Sequence, residues 1–187
     1  MSVMLDLIGG AILVGMLMLT IFSVNANMNV ETYQSASAFH TQTEMIQLAR
    51  ILEFDLYKVG YFVPKPGIIT ADTSRLIFKA NLKNSPGASD SVEYILGTPV
   101  TTSTNPRDKH LMRIENATRV SISYSVTRFY LAYYNSRDSL LTAPVTGALR
   151  DSIRSIRVYL NLEGPEPIDS TYPGAYYEKL IYPRNLQ

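Results

Sequence analysis

Residues 7–22 of the chain read Leu7-Ile8-Gly9-Gly10-Ala11-Ile12-Leu13-Val14-Gly15-Met16-Leu17-Met18-Leu19-Thr20-Ile21-Phe22. No charged residue occurs from Leu7 through Val30. At about 1.5 Å of rise per residue, a helix over residues 7–24 is roughly 27 Å long, close to the hydrocarbon thickness of a bilayer. A secretory signal peptide fits less well, because no Lys or Arg precedes Arg50. Residues 1–30 are therefore predicted to form a hydrophobic transmembrane or assembly helix.

Helix-compatible sequence continues beyond this segment, because no proline occurs before Pro64. Apolar residues recur at spacings of three and four, which places them on one helix face. They are Met45, Leu48, Ala49, Leu52, Leu56 and Val59. Gly60 is suited to a left-handed C-terminal cap. We therefore predict an amphipathic continuation over residues 31–63, with a kink or melted turn at residues 25–29, where asparagines compete for backbone hydrogen bonds.

Beyond Pro64 the pattern changes to short β-branched and aromatic runs between turn residues, which is typical of antiparallel strands. The predicted strands cover residues 75–80, 91–96, 110–115, 119–134, 153–162 and 176–182, and residues 97–108 form a loop. Residues 64–187 are then one antiparallel β head. The predicted fold class is α+β: a long N-terminal α-helix, apolar in its first half and amphipathic in its second, packed on an antiparallel sheet.

The composition is that of an ordinary globular protein, with 18% charged residues and a formal net charge of +1. This charge gives no electrostatic reason to predict nucleic-acid binding. Cysteine is absent, which removes disulfides and thiolate chemistry. The two histidines, His40 and His110, have no neighbouring ligand pattern. No nucleophile elbow, phosphate loop or metalloprotease motif occurs. We therefore predict no enzymatic activity, no catalytic residues, no metal site and no cofactor.

Asp6 is the one charged residue near the start of the apolar segment. A carboxylate is costly inside lipid or inside a bundle of apolar helices unless it is paired. The free N-terminal amine of a neighbouring subunit is a plausible partner, and such a pair would set the axial register of an assembly. The alternative is that Asp6 caps the helix N-terminus, where a carboxylate meets the positive end of the dipole.

Four small residues, Gly9, Gly10, Ala11 and Gly15, accompany Asp6 in the predicted assembly site. Small residues let helix backbones approach closely, and Ala11 and Gly15 have the small-xxx-small spacing. The alternative is that glycine is simply frequent in membrane helices. If the arm needs only hydrophobicity, replacing Gly9, Gly10 and Gly15 by leucine should be harmless, whereas a helix-crossing contact would be disrupted by the larger side chains.

The chain contains 13 tyrosines, and tyrosine is favoured at protein interfaces. We predict contacts between heads through Tyr133, Tyr134, Tyr176 and Tyr177, with core packing as the alternative for each. Asn116-Ala117-Thr118 matches the glycosylation sequon, so Asn116 is a candidate for glycosylation if the head is extracellular.

The combination of an apolar helix with one acidic residue, an amphipathic continuation and an antiparallel sheet resembles the type IV pilin and pseudopilin superfamily. Residues 48–61, LARILEFDLYKVGY, are similar to the helix end of minor pilins and minor pseudopilins, where a Gly-Tyr pair closes the long helix. Residues 72–78, 91–94, 153–162 and 184–185 are also similar to that group. Removal of Met1 would place Asp6 fifth, where pilins usually carry glutamate.

The resemblance implies a structural subunit of a type IV pilus-like extracellular filament, assembled by bundling of the hydrophobic helices of identical copies. Such a subunit is held in the inner membrane before assembly and ends at the cell surface, and unlike pilins are further candidate partners. Two alternatives stay open: a minor pseudopilin of a secretion system, and a single-span membrane-tethered binding module.

Overall fold

The computed structural model describes residues 2–167 and 170–186. One α-helix precedes all of the described strands. In chain order the elements are α1 (Ser2–Tyr57), β1 (Ile68–Ala71), β2 (Arg75–Ala80), β3 (Asp90–Pro99), β4 (Lys109–Glu115), β5 (Thr118–Tyr134), β6 (Leu140–Leu141), a 3-10 helix (Gly147–Ser152), β7 (Ser155–Glu163), β8 (Gly174–Ile181) and a second 3-10 helix (Arg184–Leu186). The predicted α+β fold class is confirmed.

The chain divides into two compact units, Met1–Phe39 and His40–Gln187. We call the first the arm and the second the sheet unit. The described part of the arm is helical throughout, and the sheet unit holds the last turns of α1 and all of the strands. Helical structure continues through residues 25–29, so the melted turn predicted there is wrong. Propagation of an existing helix is favourable enough to outweigh the competition from asparagine side chains.

The strands form one antiparallel sheet. Its order is β1-β2-β3-β4-β5-β7-β8, and the short β6 pairs with the end of β5. Neighbours in the sheet are mostly neighbours in sequence, so hairpin turns connect them. Side chains alternate between the two faces of such a sheet, and one face can be covered by a helix while the other meets solvent.

The core of the sheet unit lies between α1 and one face of the sheet. The burial of the predicted stripe is confirmed, because all of its members are at most 7% exposed: Met45, Leu48, Ala49, Leu52 and Leu56 on α1, and Val59 in the turn that follows it. On β7 every second residue is buried: Ile156, Val158, Leu160 and Leu162. Apolar residues of the helix from Met45 onward and of the strands belong to one hydrophobic cluster, so the end of the long helix is packed on the sheet.

The helix ends at Tyr57, earlier than the predicted boundary at residue 63. The next turn is closed by a backbone hydrogen bond from Lys58 N to the Asp55 carbonyl at 3.0 Å. Gly60 has φ +75° and donates its N–H to the carbonyl of Lys79, in β2, at 2.9 Å. Pairing with the sheet therefore takes the backbone out of the helix several residues before Pro64 could stop it.

Each of the six predicted strands is found, with ends that differ by a few residues. Two short strands, β1 and β6, were not predicted, because four and two residues carry too little periodicity. In β5 the pairing register shifts between Val126 and Arg128. Val126 and Phe129 are consequently both buried, although they lie three residues apart. A simple two-residue alternation fails at such a bulge.

Candidate functional site

From residue 7 to residue 24 the arm exposes an apolar surface without a charged side chain. The large apolar side chains of residues 3–24 are between 52% and 78% exposed. In the described part of the chain, α1 is the one helix long and apolar enough to cross a membrane, judged by length and composition. A contiguous apolar surface of this kind is unfavourable in water and marks a membrane or protein contact. The arm is therefore suited to serve as a membrane anchor.

Asp6 lies inside this helix, exposed and four residues after Ser2, where the helix begins. An N-cap residue flanks the first helical position, so Asp6 does not occupy the capping position. Residues three and four apart are neighbours on a helix surface, which places Asp6 beside Gly9 and Gly10 on one face. The carboxylate thus has a small-residue surface next to it, where another backbone can approach closely.

Ala11 and Gly15 lie on the opposite side of the helix, because each residue turns the helix by about 100°. The five predicted assembly residues therefore form two small-residue surfaces rather than one. A Cβ atom added to Gly9, Gly10 or Gly15 would meet nothing within 4 Å. Within a single copy, nothing in the described chain requires glycine at these positions.

In the sheet unit, a buried ion pair connects the end of α1 to the sheet. Asp55 is 2% exposed and accepts hydrogen bonds at 2.6 Å from both Tyr94 Oη and Arg113 Nε. Arg113 also donates from Nη1 to Glu115 at 2.7 Å. Burial and the adjacent Asp55 raise the pKa of Tyr94 well above its usual value, so its hydroxyl stays a donor. Burial lowers the pKa of Arg113, but its carboxylate hydrogen bonds outweigh that effect and raise it.

Two other helix carboxylates reach the sheet. The two oxygens of Glu44 accept hydrogen bonds from Ser123 and Ser125, each at 2.7 Å. Glu53 accepts from Tyr177 at 2.7 Å and from Lys179 at 2.6 Å. Burial acts to raise the pKa of Glu53, yet these hydrogen bonds lower it overall. Such directional contacts fix the orientation of the helix on the sheet, which an apolar stripe alone specifies less tightly.

The four tyrosines predicted as contacts between heads have different surroundings. Tyr133 is fully buried and donates to the Asp72 carbonyl at 2.7 Å, so its prediction as a surface contact is wrong. Tyr177 is half-buried against Glu53, and Tyr134 is half-buried beneath the Arg157 guanidinium. Tyr176 is 59% exposed. Tyr133 faces inward because the bulge in β5 resets the alternation, whereas Tyr134 falls on the outer face.

Tyr130 and Tyr159 were not among the tyrosines predicted as contacts between heads. They are directly paired across β5 and β7, with ring centroids 5.7 Å apart, on the face that carries Tyr134. The alternation of Arg128, Tyr130 and Tyr134 along one strand is the signal that could have identified this outer face. The predicted contacts were adjacent tyrosine pairs chosen by residue type alone. The two members of such a pair point to opposite faces of a strand.

Asn116 lies in the turn between β4 and β5 with φ +47°. Its side-chain nitrogen, the atom that a glycan would modify, donates to Asp90 Oδ1 at 2.7 Å, and its oxygen accepts from the Ser91 N–H at 2.9 Å. The hydrogen bond from Asn116, followed by that from the Leu82 N–H, lowers the pKa of Asp90. Asn116 thus stabilises the turn, and glycosylation would have to disrupt this contact.

The predicted loop 97–108 is shorter in the structure, because β3 extends to Pro99. The remaining loop, residues 100–108, contains a buried carboxyl group that the sequence did not single out. Asp108 is 2% exposed, and its Oδ2 accepts from the Ser103 hydroxyl. Its Oδ1 is buried without a hydrogen-bond partner in the described chain. Burial is the main cause that raises the pKa of Asp108, and the nearby charge of Glu163 adds to it.

The raised pKa of Asp108 predicts a specific pH dependence of stability. Above that pKa the folded state holds an ionised, poorly solvated carboxylate, which destabilises it relative to the unfolded state. As pH falls through the folded pKa, the folded state binds a proton first and this contribution to stability rises. Asp108→Asn should remove that rise, measured by denaturant unfolding of the full chain in uncharged detergent at several pH values. The exposed Asp138→Asn serves as the control, and an unchanged pH profile in Asp108→Asn would refute the assignment.

Within residues 2–167 and 170–186, no group of three or more His, Asp or Glu side chains is placed to hold a metal ion. No protein-family model matches the chain, and no curated protein matches it. The predicted resemblance to pilins therefore stays a prediction, and functional inference depends on the geometry of the arm and of the sheet unit.

Proposed function

We propose that this protein is a structural subunit of a type IV pilus-like filament, assembled through its arm. The main support for the proposal is the exposed apolar surface of residues 3–24, which belongs to the same helix that ends in the sheet unit. A simple anchor needs apolar residues only. The arm additionally has two small-residue surfaces on opposite sides, one of them with Asp6, which suits contact with more than one neighbouring helix.

The mechanism follows from this surface. Before assembly, the arm lies in the inner membrane with lipid around its apolar residues. During polymerisation it exchanges lipid for the arms of other copies, and close packing at Ala11 and Gly15 offsets the lost lipid contacts. Asp6 pairs with the N-terminal amine of a neighbour and sets the axial register. The sheet unit then faces the outside of the filament at the cell surface.

Gly15→Leu tests the helix contact. A leucine at this position has open space within one copy, so we expect normal synthesis and membrane insertion. Between copies the larger side chain separates the backbones, and we expect at least a tenfold loss of filaments in the sheared surface fraction, about 1.4 kcal/mol of lost contact energy. Immunoblotting of the membrane and sheared fractions measures both quantities.

Val14→Leu is the matched control, because it changes the neighbouring residue from one large apolar side chain to another. It should assemble normally. If Gly15→Leu also assembles normally, the crossing contact at this position does not exist. If the wild type itself is found only in the membrane fraction, the single-span tethered module becomes the better explanation. Assembly only in the presence of unlike pilins, at low abundance, would instead favour the minor pseudopilin.

A further inference from the structure

A small cavity lies in the sheet unit, where the segment after α1 meets the 3-10 helix Gly147–Ser152 and the last described residues. Its volume is about 90 Å³. Among its lining residues are Gly60, Lys65, Gly67, Arg150 and Arg154. This cavity is separate from the arm and from the ion pair of Asp55.

The cavity has an excess of positive charge. Three cationic side chains line it, Lys65, Arg150 and Arg154, and Asp151 is the one carboxylate among the lining residues. In the described part of the chain, none of the three cations forms an ion pair. Clustered like charges repel one another, and partial burial increases that cost. A bound anion would relieve it.

Both guanidinium groups are held in place by neutral backbone carbonyls. Arg150 donates from Nη1 to the Ile69 carbonyl and from Nε to the Gly147 carbonyl at 3.4 Å. Arg154 donates from Nη1 to the carbonyls of Asp151, at 2.7 Å, and Ile153, at 2.9 Å. Both side chains are half-buried. Carbonyls orient the charges without neutralising them, so the site is organised before a ligand binds.

Bare backbone forms one wall of the cavity. A Cβ atom on Gly67 would lie 2.9 Å from the Cα of Gly60, closer than real side chains approach. The two glycines therefore permit a close backbone approach beside the basic residues. A cavity of about 90 Å³ has room for a tetrahedral oxyanion.

We propose that this cavity binds a phosphate-class oxyanion, held by the guanidinium groups of Arg150 and Arg154 with Lys65 at the rim. The phosphate group is either free or carried by the headgroup of an anionic phospholipid. The inference is independent of filament assembly, because it concerns residues of the sheet unit alone.

The test is a calorimetric titration of the full chain in uncharged detergent micelles. One titration adds inorganic phosphate, and a second adds phosphatidylglycerol with phosphatidylcholine as its neutral-headgroup reference. We expect saturable binding in one of the two titrations. Arg150→Gln should weaken that binding at least about tenfold, since a charge-assisted hydrogen bond is lost. Lys65→Gln should weaken it about threefold, as expected for an exposed charge.

Arg137→Gln is the control, because Arg137 is an exposed arginine in a different loop, and it should bind like the wild type. Lys65→Gln keeps the test interpretable if Arg150→Gln misfolds, since the Lys65 side chain is exposed and its replacement leaves the core intact. Binding of phosphate alone identifies a free oxyanion, and selective binding of phosphatidylglycerol identifies the headgroup. Absence of binding at millimolar ligand, or equal binding by Arg150→Gln, Lys65→Gln and Arg137→Gln, would overturn the proposal.

Discussion

Asp55→Ala is expected to lower the free energy of unfolding of the sheet unit by about 3 kcal/mol or more. The substitution removes the shared acceptor of Tyr94 and Arg113. Tyr94 is fully buried, so its hydroxyl would be left without its acceptor in the core. Arg113 keeps Glu115 at 2.7 Å, which limits the loss on the cationic side. Chemical denaturation of the full chain in uncharged detergent measures the change.

Glu178→Ala is the matched control for this prediction. Glu178 pairs with Arg157 at 3.3 Å, and the two side chains are 36% and 34% exposed. An exposed pair contributes about 0–1 kcal/mol, because solvent screens both charges. The large difference between the two alanine variants is the expected signature of burial. Similar losses in both variants would show that Asp55 does not join helix and sheet as the structure describes.

Asp6→Ala is expected to abolish filament assembly while leaving the stability of the sheet unit unchanged. Asp6 lies in the arm, so its removal affects neither the buried ion pair nor the core of the sheet unit. Its loss would leave the amine of the neighbouring copy without a counter-ion in an apolar environment, which costs several kcal/mol per contact. Sheared-fraction yield reports assembly, and denaturant unfolding reports the sheet unit.

Two further variants separate charge from shape at this position. Asp6→Asn keeps the size of the side chain and loses the charge, so it should fail to assemble as Asp6→Ala does. Asp6→Glu keeps the charge and should retain filaments. Wild-type assembly by both Asp6→Ala and Asp6→Asn would eliminate charge pairing as the determinant of axial register.

Much of the fold could be predicted because long periodic segments dominate it. The stripe from Met45 to Val59 and the alternation from Ile156 to Leu162 each specify one buried face, and both are buried as predicted. The end of α1 could not be located, because it depends on a hydrogen bond from Gly60 to Lys79, a partner 19 residues further along the chain. Local sequence does not contain such contacts.

The candidate sites were less predictable for the same reason. Tyr133 was predicted as a surface contact from its residue type alone, and the bulge between Val126 and Arg128, which turns it inward, is invisible to a two-residue period. The ion pair of Asp55 and the cavity at Arg150 each bring together residues far apart in sequence. The small residues of the arm were identified from their local spacing alone. Their separation into two surfaces became clear once the structure showed a helix from Ser2 onward.

Electron microscopy of the surface-sheared fraction from cells that make the protein shows whether it forms filaments. Mass spectrometry of the same fraction, including the N-terminal peptide, identifies the subunit and its processing. If the protein is a filament subunit, we expect long uniform fibres composed mainly of this chain. A protein that stays in the membrane fraction, with no fibres that contain it, would contradict the filament-subunit proposal.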